Sequence, residues 1–171
     1  PLLKKTAIMA KPFFVSALKE KVVRLQSGGT AEQEDMKDRG ESLEGLYFLA
    51  AEDNEINAEI LREILAIENA ACEIVENGQL AVERFAASTE GEFDAILMDV
   101  QMPVMNGYEA TKAIRAMSRK DAGEIPIIAM TANAFAEDEK EALRAGMSVH
   151  LAKPVNVELL KAIIRQYVIK K

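Results

Sequence analysis

Two hydrophobic patterns alternate along residues 43–171. Short, continuous apolar runs are typical of strands that are buried on both faces, whereas apolar residues at helical spacing predict amphipathic helices. The two patterns predict five strands that alternate with five helices. The strands are predicted at 46–51, 72–75, 94–99, 125–131 and 149–152, and the helices at 56–67, 80–87, 108–119, 136–145 and 157–168.

This alternation predicts an α/β fold in which a five-stranded parallel sheet carries helices on both faces. Asn54 is the predicted N-cap of the first helix, and Gly146 is the predicted C-cap of the fourth. Right-handed crossover connections leave few topologies for such a chain. Ligands of such sheets bind outside the carboxyl ends of the strands, so the residues at those ends indicate the function.

Polar and charged residues follow four of the predicted strands. Glu52 and Asp53 follow the first strand, Asp99 ends the third, Thr131 ends the fourth, and Lys153 follows the fifth. Three carboxylates at one edge repel one another unless a cation lies between them. Oxygen ligands suit a hard divalent cation, and Mg²⁺ fits a site that has few protein ligands and several waters.

The same residues suit the transfer of a phosphoryl group. Lys153 provides a positive charge for a phosphoryl oxygen, and the Thr131 hydroxyl could donate a hydrogen bond to another. A carboxylate beside Mg²⁺ can act as a nucleophile and form an aspartyl-phosphate. Each residue alone has a more ordinary interpretation: a helix cap for Asp53, a loop for Lys153, and a solvated hydroxyl for Thr131. Their ordered spacing along one sheet edge favours a shared site.

Four segments of the chain contain these residues. They are LAAEDNEIN at 49–57, AILMDVQMPVMNGYEA at 95–110, IPIIAMTANA at 125–134 and LAKP at 151–154. Together they resemble the receiver domain of two-component signalling, of the type that is fused to hybrid sensor histidine kinases. Any one segment is moderately specific, and all four in this order are very specific. The resemblance covers about residues 43–168 and implies a flavodoxin-like, doubly wound sheet with strand order 2-1-3-4-5.

The resemblance also implies a role for each residue of the site. Asp99 would accept a phosphoryl group from a phosphohistidine, and Lys153 and Thr131 would be the other catalytic residues. The bond between Lys153 and Pro154 would be cis. The Mg²⁺ ligands would be the carboxylates of Asp53 and Asp99, Glu52 through a water, and the backbone carbonyl of Gln101. The switch and tuning positions would be Gln101, Ala132, Asn133, His150 and Pro154.

His150 is a departure from the family, which usually has Tyr or Phe three residues before the lysine. That aromatic ring swings inward on phosphorylation, and we hypothesise that the swing is weak here. A phosphorylated histidine is the other interpretation, but His150 lies in a predicted strand and lacks the helical context of a phosphotransfer histidine. We therefore interpret it as a half-exposed residue near the switch. Because the charge of a histidine changes near neutral pH, it could make the switch sensitive to pH.

Residues 1–42 differ from the rest of the chain. The linker, residues 26–42, is rich in glycine and acids, and we expect it to be flexible. The head, residues 1–25, ends in MAKPFFVSALKEKVVRL, which matches LAKPVNVELLKAIIRQY at 151–167 in six of 17 positions. We expect the head to be the C-terminal strand and helix of a preceding receiver-like unit. Its apolar stripe, which predicts docking on a receiver surface of its own or a neighbouring chain, consists of Phe14, Leu18, Val22 and Leu25.

Composition mainly excludes other classes of protein. The formal net charge of -7 argues against binding to nucleic acid or to an anionic membrane. The single Cys72 cannot form an internal disulfide, which favours a cytoplasmic location. The chain contains no apolar run near the roughly 18 residues that span a bilayer, and no secretory signal. Since it does not begin with Met, we expect a fragment of a longer, membrane-anchored or soluble signalling protein.

Two other functions fit less well. A phosphatase of the haloacid dehalogenase type needs a second acid two residues after the nucleophile, where this chain has Gln101. A docking module without phosphorylation would be favoured if Asp99, Lys153 or the acidic pair were missing. No glycine-rich ATP motif is present, so we expect the chain to catalyse only its own phosphorylation and dephosphorylation. The expected partners are a histidine kinase core, a histidine phosphotransfer protein, and a second copy bound through the last strand–helix face or the N-terminal helix.

Overall fold

The computed structural model describes residues 42–132 and 136–169. Within these ranges, five strands alternate with five α-helices, and short helical turns follow the third and the fifth helix. The strands are β1 (Tyr47–Ala51), β2 (Ala71–Val75), β3 (Ala95–Asp99), β4 (Ile127–Thr131) and β5 (Val149–Ala152). The helices are α1 (Glu55–Ile67), α2 (Gly78–Ala87), α3 (Gly107–Arg115), α4 (Ala136–Ala145) and α5 (Val157–Ile164), and the turns are a 3₁₀ turn at Lys120–Gly123 and a π turn at Arg165–Ile169.

The strands form one parallel sheet in the order β2-β1-β3-β4-β5. This confirms the predicted flavodoxin-like fold. The central strands β3 and β4 are buried at every position, which explains why their sequences are continuous apolar runs. The strand order reverses between β1 and β3, so their carboxyl ends flank the position where such sheets bind ligands.

The sheet separates two hydrophobic cores. Strand residues Phe48 and Leu97 belong to the core that includes α1 and α5, whereas their neighbours Leu49 and Ile96 belong to the core that includes α2, α3 and α4. This alternation follows from the two-residue period of a strand. Burial on both faces fixes the register of the strands and therefore the position of the residues at their ends.

Asparagine side chains fix the first turn of four helices. In each case the side-chain oxygen accepts a hydrogen bond from the backbone N–H three residues later, as in an N-cap. The four N-caps are Asn54 of α1, Asn77 of α2, Asn106 of α3 and Asn156 of α5. The predicted caps are confirmed at Asn54 and at Gly146, which follows α4 with a φ of +99°.

One face of α1 is apolar and yet exposed to solvent. Leu61 and Leu65 pack in the core, whereas Ile56, Ile60 and Ile67 are 71%, 49% and 76% exposed. The helix has two apolar stripes, and only one of them contacts the sheet. The other, the isoleucine stripe, consists of Ile56, Ile60 and Ile67.

Two predicted helices end earlier than expected. The helix predicted at 108–119 ends at Arg115, and the 3₁₀ turn at Lys120–Gly123 follows it. The helix predicted at 157–168 ends at 164 and continues as the π turn. The head, residues 26–41 of the linker and Asn133 lie outside the described residues. Among the helices that are described, none is long and apolar enough to span a membrane.

Candidate active site

Three carboxylates meet where β1 and β3 end. Glu52, Asp53 and Asp99 each offer an oxygen, and these oxygens lie within 4.8 Å of one another. Glu52 and Asp99 are 3% and 5% exposed, whereas Asp53 is exposed. The arrangement of two buried acids and one exposed acid could hold a metal ion that is reached from solvent.

Lys153 lies between the two buried acids. Its Nζ is 2.8 Å from Oδ2 of Asp99 and 2.5 Å from Oε2 of Glu52. The backbone N–H of Lys153 donates to the carbonyl of Thr131 over 2.8 Å, which joins the loop after β5 to the end of β4. The bond between Lys153 and Pro154 is cis, as the resemblance implied. Glu52, Asp53, Asp99 and Lys153 are called the acidic site below.

The acidic site contains more negative charge than the ammonium of Lys153 neutralises. Burial raises the pKa of the Asp99 carboxyl above its usual value, and the charge of Glu52 acts in the same direction, although the ammonium of Lys153 opposes both. Burial lowers the pKa of Lys153, but the hydrogen bonds to Asp99 and Glu52 outweigh it and raise that pKa overall. One ammonium among three carboxylates leaves room for a further cation.

Hydrogen bonds hold the two buried carboxylates in place. Oε1 of Glu52 accepts from the backbone N–H of Asn54 and from Nδ2 of Asn57, each over 3.2 Å. Oδ1 of Asp99 accepts from the backbone N–H of Gln101 over 3.2 Å. Asp53 forms no hydrogen bond with any residue of the described ranges, so its carboxylate remains available to a ligand.

Two glycines bring the loop after β3 close to the site, and sequence reasoning missed both. A Cβ on Gly107 would lie 2.2 Å from the backbone oxygen of Asp99, and one on Gly78 would lie 2.5 Å from that of Met105. Only glycine fits such a close approach. In both cases the preceding residue is the asparagine N-cap of a helix, so the Asn-Gly pairs at 77–78 and 106–107 were the available signal.

An open cleft lies beside the acidic site. It extends from Asp53 over the loop after β3 toward α4, which gives a substrate access to the exposed side of the acids. In the same loop, Val104 is 83% exposed and has a φ of +68°. This conformation is strained for a β-branched residue. The residues that line the cleft are Asp53, Val100, Gln101, Met102, Asn106, Tyr108 and Asp138.

The remaining predicted site residues lie at or near this edge of the sheet. Thr131 is buried at the end of β4, in register with Ala152, which precedes Lys153. Ala132 and Pro154 are exposed. Asn133 lies outside the described residues.

His150 is more buried than a half-exposed residue, since only 11% of its side chain is accessible. Its Nδ1 is 3.9 Å from Oε1 of Glu139 on α4, beyond a hydrogen bond. Leu143 and Met147 help to line the small cavity beside it. His150 therefore packs from β5 against α4 and is not one of the residues that meet at the acidic site.

Comparison with known proteins matches most of the described chain to the family that the four sequence segments resemble. Residues 48–165 match the family model of the response regulator receiver domain. Hybrid signal transduction histidine kinase I of Dictyostelium discoideum is 36% identical over 124 residues, which are 71% of this chain and 7% of that protein. Sensor protein GacS of Pseudomonas syringae pv. syringae is 36% identical over 120 residues, which are 70% of this chain and 13% of that protein. The chain thus spans a small part of these relatives.

Two solved structures share both fold and sequence with the chain. One is the receiver domain of sensor histidine kinase PA1611 from Pseudomonas aeruginosa PAO1, which has a magnesium ion in its active site cleft. It is 36% identical with a TM-score of 0.65, and the match covers 72% of this chain and 98% of that one. The other is a complex of the Saccharomyces cerevisiae phosphotransfer protein Ypd1 with the receiver domain of Ssk1. There the identity is 32% and the TM-score 0.63, over 72% of this chain and 89% of that one.

Proposed function

The chain belongs to the family of response regulator receiver domains, and we propose that it takes a phosphoryl group from a phosphohistidine onto Asp99. The observation that carries this proposal is the surroundings of Asp99. Its carboxylate is buried at the end of β3, Lys153 Nζ lies 2.8 Å from Oδ2, and two other acids lie within 4.8 Å. Among the described residues, only Asp99 and Glu52, which share Lys153, combine a cation partner with such an excess of negative charge, and the other oxygen of Glu52 already accepts two hydrogen bonds.

Asp99 is the nucleophile in the proposed transfer. One of its carboxylate oxygens attacks phosphorus, the bond between phosphorus and the imidazole nitrogen breaks, and the imidazole leaves. The Lys153 ammonium, already beside Oδ2, is placed to neutralise charge on the transferred phosphoryl oxygens. The Thr131 hydroxyl at the end of β4 binds another of those oxygens. Movement of Lys153 and Thr131 toward the phosphoryl group then changes the surface that partners read.

The donor atoms of the acidic site fit Mg²⁺. They are hard oxygen ligands with excess negative charge, and Asp53 has no competing partner in the described part of the chain. We assign the ion to Asp53, Asp99, Glu52 and the backbone carbonyl of Gln101. When bound, Mg²⁺ neutralises the carboxylates and the phosphoryl oxygens that meet there.

The partner in this proposal is a histidine phosphotransfer protein or the histidine-bearing core of a kinase. Ssk1, a 32% identical relative, forms a complex with the phosphotransfer protein Ypd1, which supports this class of partner. A donor histidine must approach from the open side of Asp53. The exposed Ile56 lies in the first turn of α1, three residues after Asp53, and Ile60 lies one turn further. We assign the partner contact to these two isoleucines, the domain to the cytoplasm, and the parent chain to the hybrid histidine kinases.

The proposal predicts a difference between protein donors and small donors. Replacement Ile56→Asp should slow phosphoryl transfer from phosphorylated Ypd1, used as a probe donor, by about tenfold, as expected for loss of a central interface residue. The same variant should accept phosphate from phosphoramidate at the rate of the unmodified chain. Radiolabelled transfer and intact mass measure the two rates.

Ile67→Asp is the matched control, because it changes an equally exposed isoleucine at the far end of α1. It should leave both rates close to those of the unmodified chain. Equal transfer from Ypd1 to Ile56→Asp and to the unmodified chain would overturn the assigned contact. Failure of both donors to modify the unmodified chain would overturn the proposed function itself.

A further inference from the structure

Asn57, in the first turn of α1, reaches back to the acidic site. Its Nδ2 donates to Oε1 of Glu52 over 3.2 Å, although the two residues are five positions apart. The backbone N–H of Asn57 donates to Oδ1 of Asn54, the N-cap of the helix, over 3.0 Å. The cap therefore holds the backbone where the side-chain amide of Asn57 faces Glu52. Because Asn57 is exposed and Glu52 is buried, water could satisfy the amide, whereas the carboxylate needs a donor from the protein.

Within the described ranges, the donors around Glu52 leave it with one open acceptor position. A carboxylate has about four such positions, two on each oxygen. Oε1 accepts from the backbone N–H of Asn54 and from Nδ2 of Asn57, and Oε2 pairs with Nζ of Lys153. The open position is thus on Oε2. A cation can contact that one oxygen without breaking a hydrogen bond, but it can bind both oxygens only by breaking a bond to Oε1.

Asp99 is held in a similar way. Its Oδ1 accepts from the backbone N–H of Gln101 over 3.2 Å, and its Oδ2 pairs with Lys153 over 2.8 Å. Of the three acids in this described site, Asp53 alone has both oxygens without a hydrogen bond. The two buried carboxylates are therefore arranged to offer a cation one oxygen each, and the exposed one is not constrained.

Single oxygens suit one class of divalent cation better than another. Mg²⁺ requires a nearly ideal octahedron, keeps several of its waters, and binds through one or two carboxylates. Ca²⁺ is larger, takes about six to eight oxygen ligands, and often binds both oxygens of one carboxylate. A site in which the buried acids offer one oxygen each therefore favours Mg²⁺ over Ca²⁺.

We propose that Asn57 is a positioning residue that makes the acidic site selective for Mg²⁺ over Ca²⁺. By occupying Oε1, it keeps Glu52 from presenting both oxygens to the larger cation. The backbone N–H of Asn54 cannot do this alone, because it fills only one of the two acceptor positions of that oxygen. The inference rests on the proposed function in one respect, since it concerns the metal site that assists phosphorylation of Asp99.

Metal binding to the full chain tests the proposal. Asn57→Ala opens a second acceptor position on Glu52, so the dissociation constant for Ca²⁺ should fall about tenfold, as expected when one hydrogen bond to a charged group no longer has to be broken. The dissociation constant for Mg²⁺ should change less than about threefold, because Mg²⁺ does not need the second oxygen. Isothermal titration calorimetry with each cation alone measures both constants. A residue that only stabilised the fold would change the two affinities together.

Asn54→Ala is the matched control. It removes the cap of α1 but keeps the backbone N–H that donates to Glu52. This variant should unfold at a lower urea concentration and keep the ratio of the two dissociation constants. Asn57→Ser, whose side chain ends one bond short of the position of Nδ2, is a second removal of the contact and should change the ratio as Asn57→Ala does. An unchanged ratio in both Asn57 variants, or an equal change of the ratio in Asn54→Ala, would overturn the proposal.

Competition between the cations connects this selectivity with phosphorylation. With phosphoramidate and a fixed concentration of Mg²⁺, Ca²⁺ should inhibit phosphorylation of Asn57→Ala at about a tenfold lower concentration than it inhibits the unmodified chain. Inhibition at the same concentration in both would contradict the role of Asn57. The calorimetric ratio does not depend on phosphorylation. If Asn57→Ala loses the preference for Mg²⁺ but neither chain is phosphorylated, the proposed function fails and the selectivity stands.

Discussion

Two groups of charged residues in this domain differ in how well their charges balance. In the acidic site, one ammonium faces three carboxylates, and the pKa of Asp99 is raised. In the arginine clusters on the same domain, Arg84 pairs with Glu73 and Glu92, and Arg119 pairs with Asp121. There, hydrogen bonds from the arginines lower the pKa values of Glu73 and Asp121. Excess charge thus occurs at one group and paired charge at the other.

Arg119 is a paired charge whose guanidinium forms hydrogen bonds from all three of its nitrogens. Its guanidinium donates to the backbone carbonyls of Phe85, Ser88 and Thr89, over 2.6, 3.0 and 3.0 Å, and lies 4.3 Å from the centroid of the Phe85 ring. It therefore satisfies carbonyls at the end of α2, where a cation also interacts favourably with the helix dipole. These bonds stabilise the fold and leave little capacity for a ligand.

Charge balance thus distinguishes a group whose bonds stabilise the fold from a group whose negative charge stays uncompensated. The burial of a fully paired charge costs the fold little free energy, but such a charge is not available to a ligand. A site that keeps three carboxylates together with one ammonium must be compensated elsewhere in the fold, and such a perturbed cluster marks a functional site.

Removal of the site cation should affect chemistry more than stability. Lys153→Met should slow phosphorylation by phosphoramidate about 10²-fold, since a preorganised positive group at a developing charge contributes on this scale. Calorimetry should show that Mg²⁺ still binds, because no carboxylate is lost. The matched control is Arg84→Met, which removes a cation that also bridges two acids. That variant should be less stable but phosphorylated at the normal rate; a normal rate in Lys153→Met would contradict the distinction.

Loss of the exposed acid should affect metal binding. Asp53→Asn should weaken Mg²⁺ binding about tenfold or more, because a hard cation loses a charged oxygen ligand that has no other partner in the described residues. Isothermal titration calorimetry measures the change. Glu55→Gln is the control, since Glu55 is also exposed but lies outside the group of three acids. Equal affinities for Asp53→Asn and Glu55→Gln would remove Asp53 from the metal site.

Neutralising one acid in each group should have opposite effects on stability. In the absence of Mg²⁺ at pH 7, Asp99→Asn should raise the free energy of unfolding by about 1 kcal/mol, and Asp121→Asn should lower it by about the same amount. Asp99 is crowded by other acids, whereas Asp121 loses its bonds to Arg119 and Gly91. Urea unfolding measures both changes, and a change of the same sign in both variants would contradict the comparison.

Acidic pH should reduce the difference in the free energy of unfolding between each of these two variants and the unmodified chain. The folded-state pKa of Asp99 is raised, so its ionisation costs stability as pH rises through that value, and this cost disappears in acid. The folded-state pKa of Asp121 is lowered, so its contribution is present above the pKa of the unfolded chain and is lost as pH falls through the folded value. Asp99→Asn should therefore approach the unmodified chain when urea unfolding is repeated below about pH 4, whereas Asp121→Asn should approach it only at a more acidic pH.

The replacement His150→Ala should have the smallest effect. His150 packs from β5 against α4. Its Nδ1 is 3.9 Å from Oε1 of Glu139, which is too far for a hydrogen bond. We expect the phosphorylation rate and the signalling output to change less than about twofold, which corresponds to under 0.5 kcal/mol. A large loss of output, with normal phosphorylation, would show that this histidine participates in the switch.

The strands and the acidic site were predictable because their signals are local. β3 is a continuous apolar run that ends in Asp99, and parallel strands bring their carboxyl ends to one edge whatever the loops do. The buried face of α1 was not predictable. Its two apolar stripes both satisfy helical spacing, and the sheet and α5 decide which one is buried.

The end of α3 depended on residues that are distant in the sequence. Arg115 donates from Nε to the carbonyl of Gly146 and from Nη1 to that of Ala122, over 2.9 and 2.7 Å. These bonds tie the end of the helix to the end of α4 and to the 3₁₀ turn. No local pattern contains that information, so the sequence predicted four residues of helix too many.

The central claim is that Asp99 accepts a phosphoryl group with the help of a divalent cation. The most direct measurement is the intact mass of the protein after incubation with Mg²⁺ and phosphoramidate. The unmodified chain should gain one phosphoryl group, whereas Asp99→Asn and a sample with excess EDTA should gain none. If the unmodified chain remains folded but gains no phosphate, or if Asp99→Asn gains as much as the unmodified chain, the claim is wrong.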